Sequence, residues 1–114
     1  MQNLLLQEHR AKMQANWCLP DNQKSNLEPV VKLFHAYGAG TWLFTEYDEA
    51  SDQLFGLCDL GMGFPELGYA CLGELQNMRN KMGWQMIERD IHWSAKMSLG
   101  EYADLACREQ AISA

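Results

Sequence analysis

"GLCDLGMGFPELGYACLGEL", residues 56–75, holds five of the chain's nine glycines and three carboxylates, with no Lys, Arg or His. A Gly-x-Gly-x-x-Gly fingerprint would need glycine at position 66, where Glu66 stands, and a P-loop would end in Gly-Lys-Ser or Gly-Lys-Thr. The stretch therefore does not match a phosphate-binding loop. It predicts a tight turn around Gly61 to Gly68 with positive φ angles, a short strand over 67–70 and a helix over 72–82.

The residues before this stretch predict strands. Segments 30–37, 41–47 and 53–60 are rich in β-branched and aromatic residues, and short connections separate them. Short connections join antiparallel neighbours, so the three segments predict a meander.

Helical spacing appears at both ends of the chain. Leu5, His9 and Met13 fall four apart within 3–17, and Ser98 with Glu101 forms a capping box that begins a helix over 98–111. For the helix over 72–82, Cys71 occupies the capping position and Gly83 the closing position. Residues 86–93 alternate and predict a strand, and 19–29 predict a loop.

Together these elements predict an α+β fold: an antiparallel sheet, made of a three-strand meander plus short strands, with the N-terminal helix and two C-terminal helices against one face. The 114 residues predict a single domain over 1–114, with the N-terminal helix in 1–18 and the core in 29–107.

The cysteines and the apolar runs indicate a cytoplasmic protein. No apolar run approaches the roughly 18 residues of a membrane span, and the first residues do not read as a signal peptide. Four cysteines could form two disulfides, but their spacing matches no zinc template and no secretion signal accompanies them. We therefore expect reduced core thiols at four positions: Cys18, Cys58, Cys71 and Cys107.

Three longer stretches carry a family resemblance: "PVVKLFHAYGAGTWLFTEYD" (29–48), "FGLCDLGMGFPELGYACLGEL" (55–75) and "IERDIHW" (87–93). Together they resemble a bacterial family catalogued as domain of unknown function 2958, over about residues 29–102. Cys71 departs from the family pattern, which has serine there. The resemblance implies a small cytosolic protein of plasmids, phages and integrative elements, and it implies no catalytic residues.

Glu88, Asp90 and His92 alternate along the strand predicted over 86–93. Two carboxylates and an imidazole on one strand face could bind a divalent metal. The same alternation fits a solvent-facing strand whose other face, Ile87, Ile91 and Trp93, is buried. We expect the second arrangement, with no metal and no cofactor.

Asp59 and Glu66 flank the glycine-rich turn. Paired carboxylates can divide general acid and base roles, but carboxylates beside glycine turns more often accept hydrogen bonds from backbone amides. We expect the structural role for both. A nucleophilic pair of Cys58 with His35 or His92 has no local motif to support it.

Negative charge accumulates in the middle of the chain. The formal net charge is −6, and residues 33–78 contain seven acidic and no basic residues. This balance argues against direct binding of duplex DNA, which requires Lys and Arg at the phosphates, and fits a basic protein partner. A solvated face that only aids solubility would look the same.

The sequence thus predicts a non-catalytic protein of a mobile element that binds a host or element protein, for example a nucleic-acid-handling or defence factor. The predicted contact residues are acidic: Glu46, Asp48, Glu49, Asp52, Asp59 and Glu66. The alternative is a small enzyme that uses Asp59, Glu66 or His92 on an unknown substrate.

Overall fold

Five antiparallel strands form one sheet in the computed structural model, which describes residues 2–114. The strands are β1 (Val31–His35), β2 (Thr41–Asp48), β3 (Gln53–Asp59), β4 (Glu66–Cys71) and β5 (Ile87–Arg89). Their order across the sheet is β4-β3-β2-β1-β5, so β1 to β4 form a meander and β5 returns to pair with β1. The α+β class and the predicted meander are confirmed, and β4 extends the meander by one strand.

Three α-helices accompany the sheet: α1 (Gln7–Trp17), α2 (Leu72–Asn77) and α3 (Leu99–Glu109). A short 3₁₀ helix, Asp21–Gln23, lies in the predicted loop. The capping box that begins α3 is present, since Ser98 Oγ accepts from Glu101 N and Ser98 N donates to Glu101 Oε1, both at 3.2 Å.

Two helices are shorter than the sequence predicted. Helix α1 begins at Gln7 rather than residue 3, because Leu4 and Leu5 are buried in the core ahead of the helix. Helix α2 ends at Asn77 rather than 82, and Gly83 adopts a φ of 81° in the turn that follows. The side chain of Asn80 organises that turn by accepting from the amides of Met82 and Trp84.

Helices cover both faces of the sheet, not one face as predicted. Trp42 and Phe44 of β2 pack in one cluster with residues of α1, α2 and the segment before α1. Leu43 lies between them in sequence and packs in a second cluster with Leu99 and Tyr102 of α3. Neighbouring strand residues point to opposite faces, so the two clusters lie on opposite sides of the sheet.

A β-bulge in the central strand requires glycine on its neighbour. The pairing of β2 with β3 shifts register between Phe44 and Glu46. A Cβ at Gly56, opposite the bulge, would collide with the backbone of Leu43 and Phe44. Gly56 therefore permits a close approach of two strands that a larger residue would prevent.

The amide side chain of Gln2 covers the outer edge of β5. Its Nε2 donates to Arg89 O at 3.1 Å, and its Oε1 accepts from Arg89 N. At Arg89 the side chain thus takes the place of the backbone of a sixth strand. Within residues 2–114, no helix has the length and apolar character required to cross a bilayer.

Candidate interaction surface

The loop between β3 and β4, residues 60–65, is called the glycine loop below. Gly61 and Gly63 adopt φ angles of 82° and 84°, so the predicted need for positive φ is confirmed at both positions. The loop leads into a strand, whereas phosphate cradles lead into the N-terminus of a helix. The geometry agrees with the sequence in giving the glycines a conformational role.

Asp59 fastens the glycine loop to the C-terminal segment. Its carboxylate is buried, Oδ1 accepts from Gly61 N at 2.8 Å, and Oδ2 accepts from Ile112 N at 3.0 Å. The predicted hydrogen bond to the turn is confirmed for this residue. The bond to Ile112 joins positions 53 residues apart and had no signal in the sequence.

Glu66 does not share that role. It is exposed at the start of β4, and its carboxylate accepts no hydrogen bond from residues 2–114. Glu66 pairs with Cys58, the residue before Asp59, so the side chains of Asp59 and Glu66 point to opposite faces of the sheet. They do not form the carboxylate pair that the enzyme alternative requires.

Large apolar side chains are exposed along the glycine loop and β4. The five side chains are between 50% and 77% exposed, and they are called the apolar surface below: Leu60, Met62, Phe64, Leu67 and Tyr69. The ring of Tyr69 lies 5.0 Å from that of Phe55 and 6.2 Å from that of Trp17, which gives this end of the surface a fixed position. Soluble proteins rarely expose so many neighbouring apolar groups without a binding role.

The sequence reading missed this surface. Its signal was present, because apolar residues alternate with glycine at Leu60, Met62 and Phe64. Only the tertiary structure shows that no element within residues 2–114 packs over them.

Glu46 belongs to the interior and not to the predicted acidic surface. It is 6% exposed and pairs with Lys24, whose Nζ lies 2.8 Å from Glu46 Oε1 and also donates to Trp17 O. The hydrogen bond to Glu46 raises the pKa of Lys24. This ion pair ties the loop after α1 to the sheet, a role that resembles that of buried Asp59.

Asp52 caps α2 from the β2–β3 turn. Its Oδ1 accepts from Tyr47 Oη at 2.7 Å, and its Oδ2 accepts from Gly73 N at 2.9 Å and from Cys71 Sγ at 3.4 Å. Burial opposes ionisation of Asp52, but these hydrogen bonds lower its pKa. Cys71 makes no capping bond to the backbone, so the predicted cysteine cap is wrong.

The remaining acids of the turn are closer to solvent. Asp48 is half-buried and accepts from Ser51 Oγ at 2.7 Å, while Glu49 is exposed. Of the six acids proposed as partner contacts, Glu49 and Glu66 have exposed side chains, Asp48 and Asp52 are half-buried, and Glu46 and Asp59 are buried.

Glu88, Asp90 and His92 do not line one strand face. Strand β5 ends at Arg89, and Asp90 Oδ1 accepts from His92 N in the turn that follows. Ile91 is exposed, contrary to its predicted burial. Residues 2–114 contain no cluster of three His, Cys, Asp or Glu side chains with metal-binding geometry.

The cysteines are free thiols, but two of them are not core residues. Cys18 and Cys107 are exposed, while Cys58 and Cys71 are half-buried. Burial raises the pKa of Cys58 to about 11, which keeps the thiol protonated. Its Sγ donates to Gly56 O at 4.0 Å, and within residues 2–114 it has no hydrogen bond to His35 or His92.

Comparison with known proteins yields one match. The model of a family described as "Protein of unknown function (DUF2958)" matches residues 4–113. No curated protein and no solved structure matches the chain.

Proposed function

Because this chain belongs to the DUF2958 family, whose function is unknown, we propose from its surface that it acts by binding another protein and not by catalysis. The contact region is the apolar surface on the glycine loop and β4. The single observation that carries the proposal is the exposure of its five large side chains, 50–77% each, within ten consecutive residues. Burying them against a partner would remove apolar area from water, which favours association.

The proposed partner combines an apolar patch with basic residues around it. Glu66 is exposed on β4 between Phe64 and Leu67 in sequence, and the chain as a whole carries a formal net charge of −6. Charge of this sign accelerates association with a basic protein, while the apolar contacts determine how slowly the complex dissociates.

The family resemblance suggests a setting for the proposed interaction. We propose that the protein acts in the cytoplasm of a bacterium that carries a plasmid, phage or integrative element. Its partner there is a host or element protein, for example one that handles nucleic acid. A basic nucleic-acid-handling protein has the charge that fits this surface.

Affinity capture from a lysate of the host bacterium tests the proposal. The wild type is compared with the triple variant Leu60→Ser, Met62→Ser, Phe64→Ser, which leaves every strand residue unchanged. We expect the triple variant to lose the captured partner, because each change removes an exposed side chain that the fold does not use.

Two controls accompany this experiment. Ile91→Ser changes an equally exposed apolar side chain outside the apolar surface and should leave capture unchanged. The double variant Glu49→Gln, Glu66→Gln should make capture less dependent on salt concentration. It should have a smaller effect on the amount of partner captured at high salt. If the triple variant retains the partner at wild-type levels, the apolar surface is not the contact region.

A further inference from the structure

The outer edge of β4 is open. In an antiparallel pair, every second residue of a strand directs its N–H and C=O groups to the neighbouring strand. Leu72 N donates to Asp52 O, so Ala70 and Gly68 also direct their backbone groups to β3. Leu67 and Tyr69 therefore direct their N–H and C=O groups away from the sheet. Neither residue's backbone bonds to any other part of residues 2–114, whereas at the edge of β5 the backbone of Arg89 bonds to the side chain of Gln2.

Gly68 has no explanation within a single copy of the chain. It does not adopt a positive φ, and a Cβ added to it would meet nothing within 4 Å. Glycine in the middle of a strand weakens it, and it commonly marks a site where another backbone approaches closely. Gly68 lies midway between the two residues whose backbone groups point outward.

We propose that two copies of this chain pair through β4 in an antiparallel arrangement with a two-fold axis at Gly68. In that register Leu67 of each copy faces Tyr69 of the other, and both residues already direct donors and acceptors outward. Four backbone hydrogen bonds form across the axis, two for each Leu67–Tyr69 pair. A second copy fits better than an unrelated strand because the same register satisfies both edges.

The side chains are complementary in the same register. Each exposed Leu67 side chain lies opposite an exposed Tyr69 ring, a cross-strand apolar pair of a kind that stabilises sheets. Each Glu66 lies opposite Ala70, so no two like charges face each other. The two glycines at the axis form a non-hydrogen-bonded pair, the type with the closest Cα atoms, about 4.5 Å.

A disulfide test at the axis measures the register directly. Gly68→Cys, in a background with Cys18→Ser and Cys107→Ser, should form an intermolecular disulfide on mild oxidation, because the expected Cα separation of about 4.5 Å lies within disulfide range. Glu66→Cys in the same background is the matched control. The two Glu66 positions lie four residues apart along the strands, about 13 Å, so they should not cross-link. Equal cross-linking of the two variants would overturn the register.

Sedimentation of the unoxidised protein measures the association itself. We expect the wild type to reach twice its monomer mass of 13.0 kDa. Two copies of net charge −6 repel each other, and salt screens this repulsion. The dimer should therefore form at a several-fold lower protein concentration in about 0.5 M salt than in about 0.05 M salt. Association with a basic partner would show the opposite salt dependence. A wild type that stays monomeric at about 1 mM protein in high salt would overturn the proposal.

Leu67→Pro removes one outward-facing donor without removing a β3–β4 hydrogen bond, and Leu67→Thr keeps that donor while losing the apolar side chain. The proline variant should be monomeric at concentrations where the threonine variant still associates. Persistence of the proline dimer would contradict pairing through β4. If the proline variant does not fold, the cysteine comparison and the salt dependence still decide. None of these measurements uses a partner protein, so the outcome is independent of the proposed function.

Discussion

Individual carboxylates of similar sequence context have different roles here. Asp59 and Glu66 both flank the glycine loop, yet Asp59 is buried with two backbone donors and Glu66 is exposed with none among residues 2–114. Glu46 and Glu49 lie three positions apart. Glu46 is buried and pairs with Lys24, whereas Glu49 is exposed. A carboxylate's role in this protein therefore depends on the donors that the fold brings to it and not on the local density of acids.

The contrast between Asp59 and Glu66 is testable by substitution. Asp59→Ala should lower the free energy of unfolding by about 1–3 kcal/mol, because it leaves the amides of Gly61 and Ile112 without their acceptor. Glu66→Ala should change it by less than about 0.5 kcal/mol, as expected for an exposed side chain without bonds. Urea denaturation followed by circular dichroism measures both. Equal effects of the two substitutions would contradict the assigned roles.

Helix α2 and strand β5 have backbone groups that bond to side chains from elsewhere in the chain. The N-terminus of α2 is capped by Asp52 in the β2–β3 turn, and the outward-facing backbone of Arg89 in β5 bonds to Gln2. Glycine at position 73 leaves room for the first of these contacts, since a Cβ there would lie 2.9 Å from Asp52 Oδ2. Helix α2 has only six residues, so it depends on tertiary contacts for its stability.

The cap on α2 is tested at position 52. Asp52 adopts a φ of 58°, so Asp52→Gly removes the carboxylate without introducing left-handed strain. It should lower the free energy of unfolding by about 1–3 kcal/mol, because the cap and the bond from Tyr47 are both lost.

Asp52→Asn is the matched control for that experiment, because asparagine tolerates this backbone conformation and can still accept from Gly73 N. It should destabilise less than the glycine variant. Tyrosine absorbance gives a second readout. Burial and the bond to Asp52 raise the pKa of Tyr47 to about 12, and Asp52→Gly should lower it. An unchanged stability and an unchanged titration in Asp52→Gly would show that the cap contributes nothing.

Hydrogen bonds attach both ends of the chain to the rest of the fold. Residues 2–5 are fixed by Gln76, Gln85 and Arg89, and the C-terminal segment is fixed by Asp59. These contacts hold both ends of the chain against residues far from them in sequence. His9 lies at the N-terminal junction, where its Nδ1 accepts from Leu6 N at 3.0 Å.

The pH dependence of stability follows from that junction. Burial, reinforced by the positive charge of Arg89, lowers the pKa of His9. The folded protein therefore binds fewer protons than the unfolded chain as pH falls below the ordinary imidazole value of about 6.5. Stability is full above that pH and decreases as pH falls through the window between the ordinary and the lowered pKa.

Urea midpoints between about pH 7.5 and pH 5, above the range in which most carboxylates titrate, measure this dependence. His9→Gln keeps an acceptor for Leu6 N but does not titrate, and it should flatten the slope. His92→Gln, a substitution at an exposed site, should retain the wild-type slope. A wild-type slope in His9→Gln would assign the pH dependence to other groups.

Local chemistry in the sequence determined the class of the fold, the strands of the meander, the capping box at Ser98 and the positive φ of Gly61 and Gly63. Each of these depends on residues within a few positions of each other, through alternation, capping or the freedom of glycine. The same reasoning placed the carboxylate of Asp59 correctly on the adjacent turn.

The tertiary structure alone decided which of these residues meet solvent or a distant partner. It buried Glu46 against Lys24, gave the cap of α2 to Asp52 instead of Cys71, ended β5 before His92 and placed helices on both faces of the sheet. It also left Leu60, Met62 and Phe64 uncovered, although their sequence pattern equally suits a buried segment. The physical reason is that burial and hydrogen bonding depend on contacts between residues far apart in the chain, and no local pattern specifies those contacts.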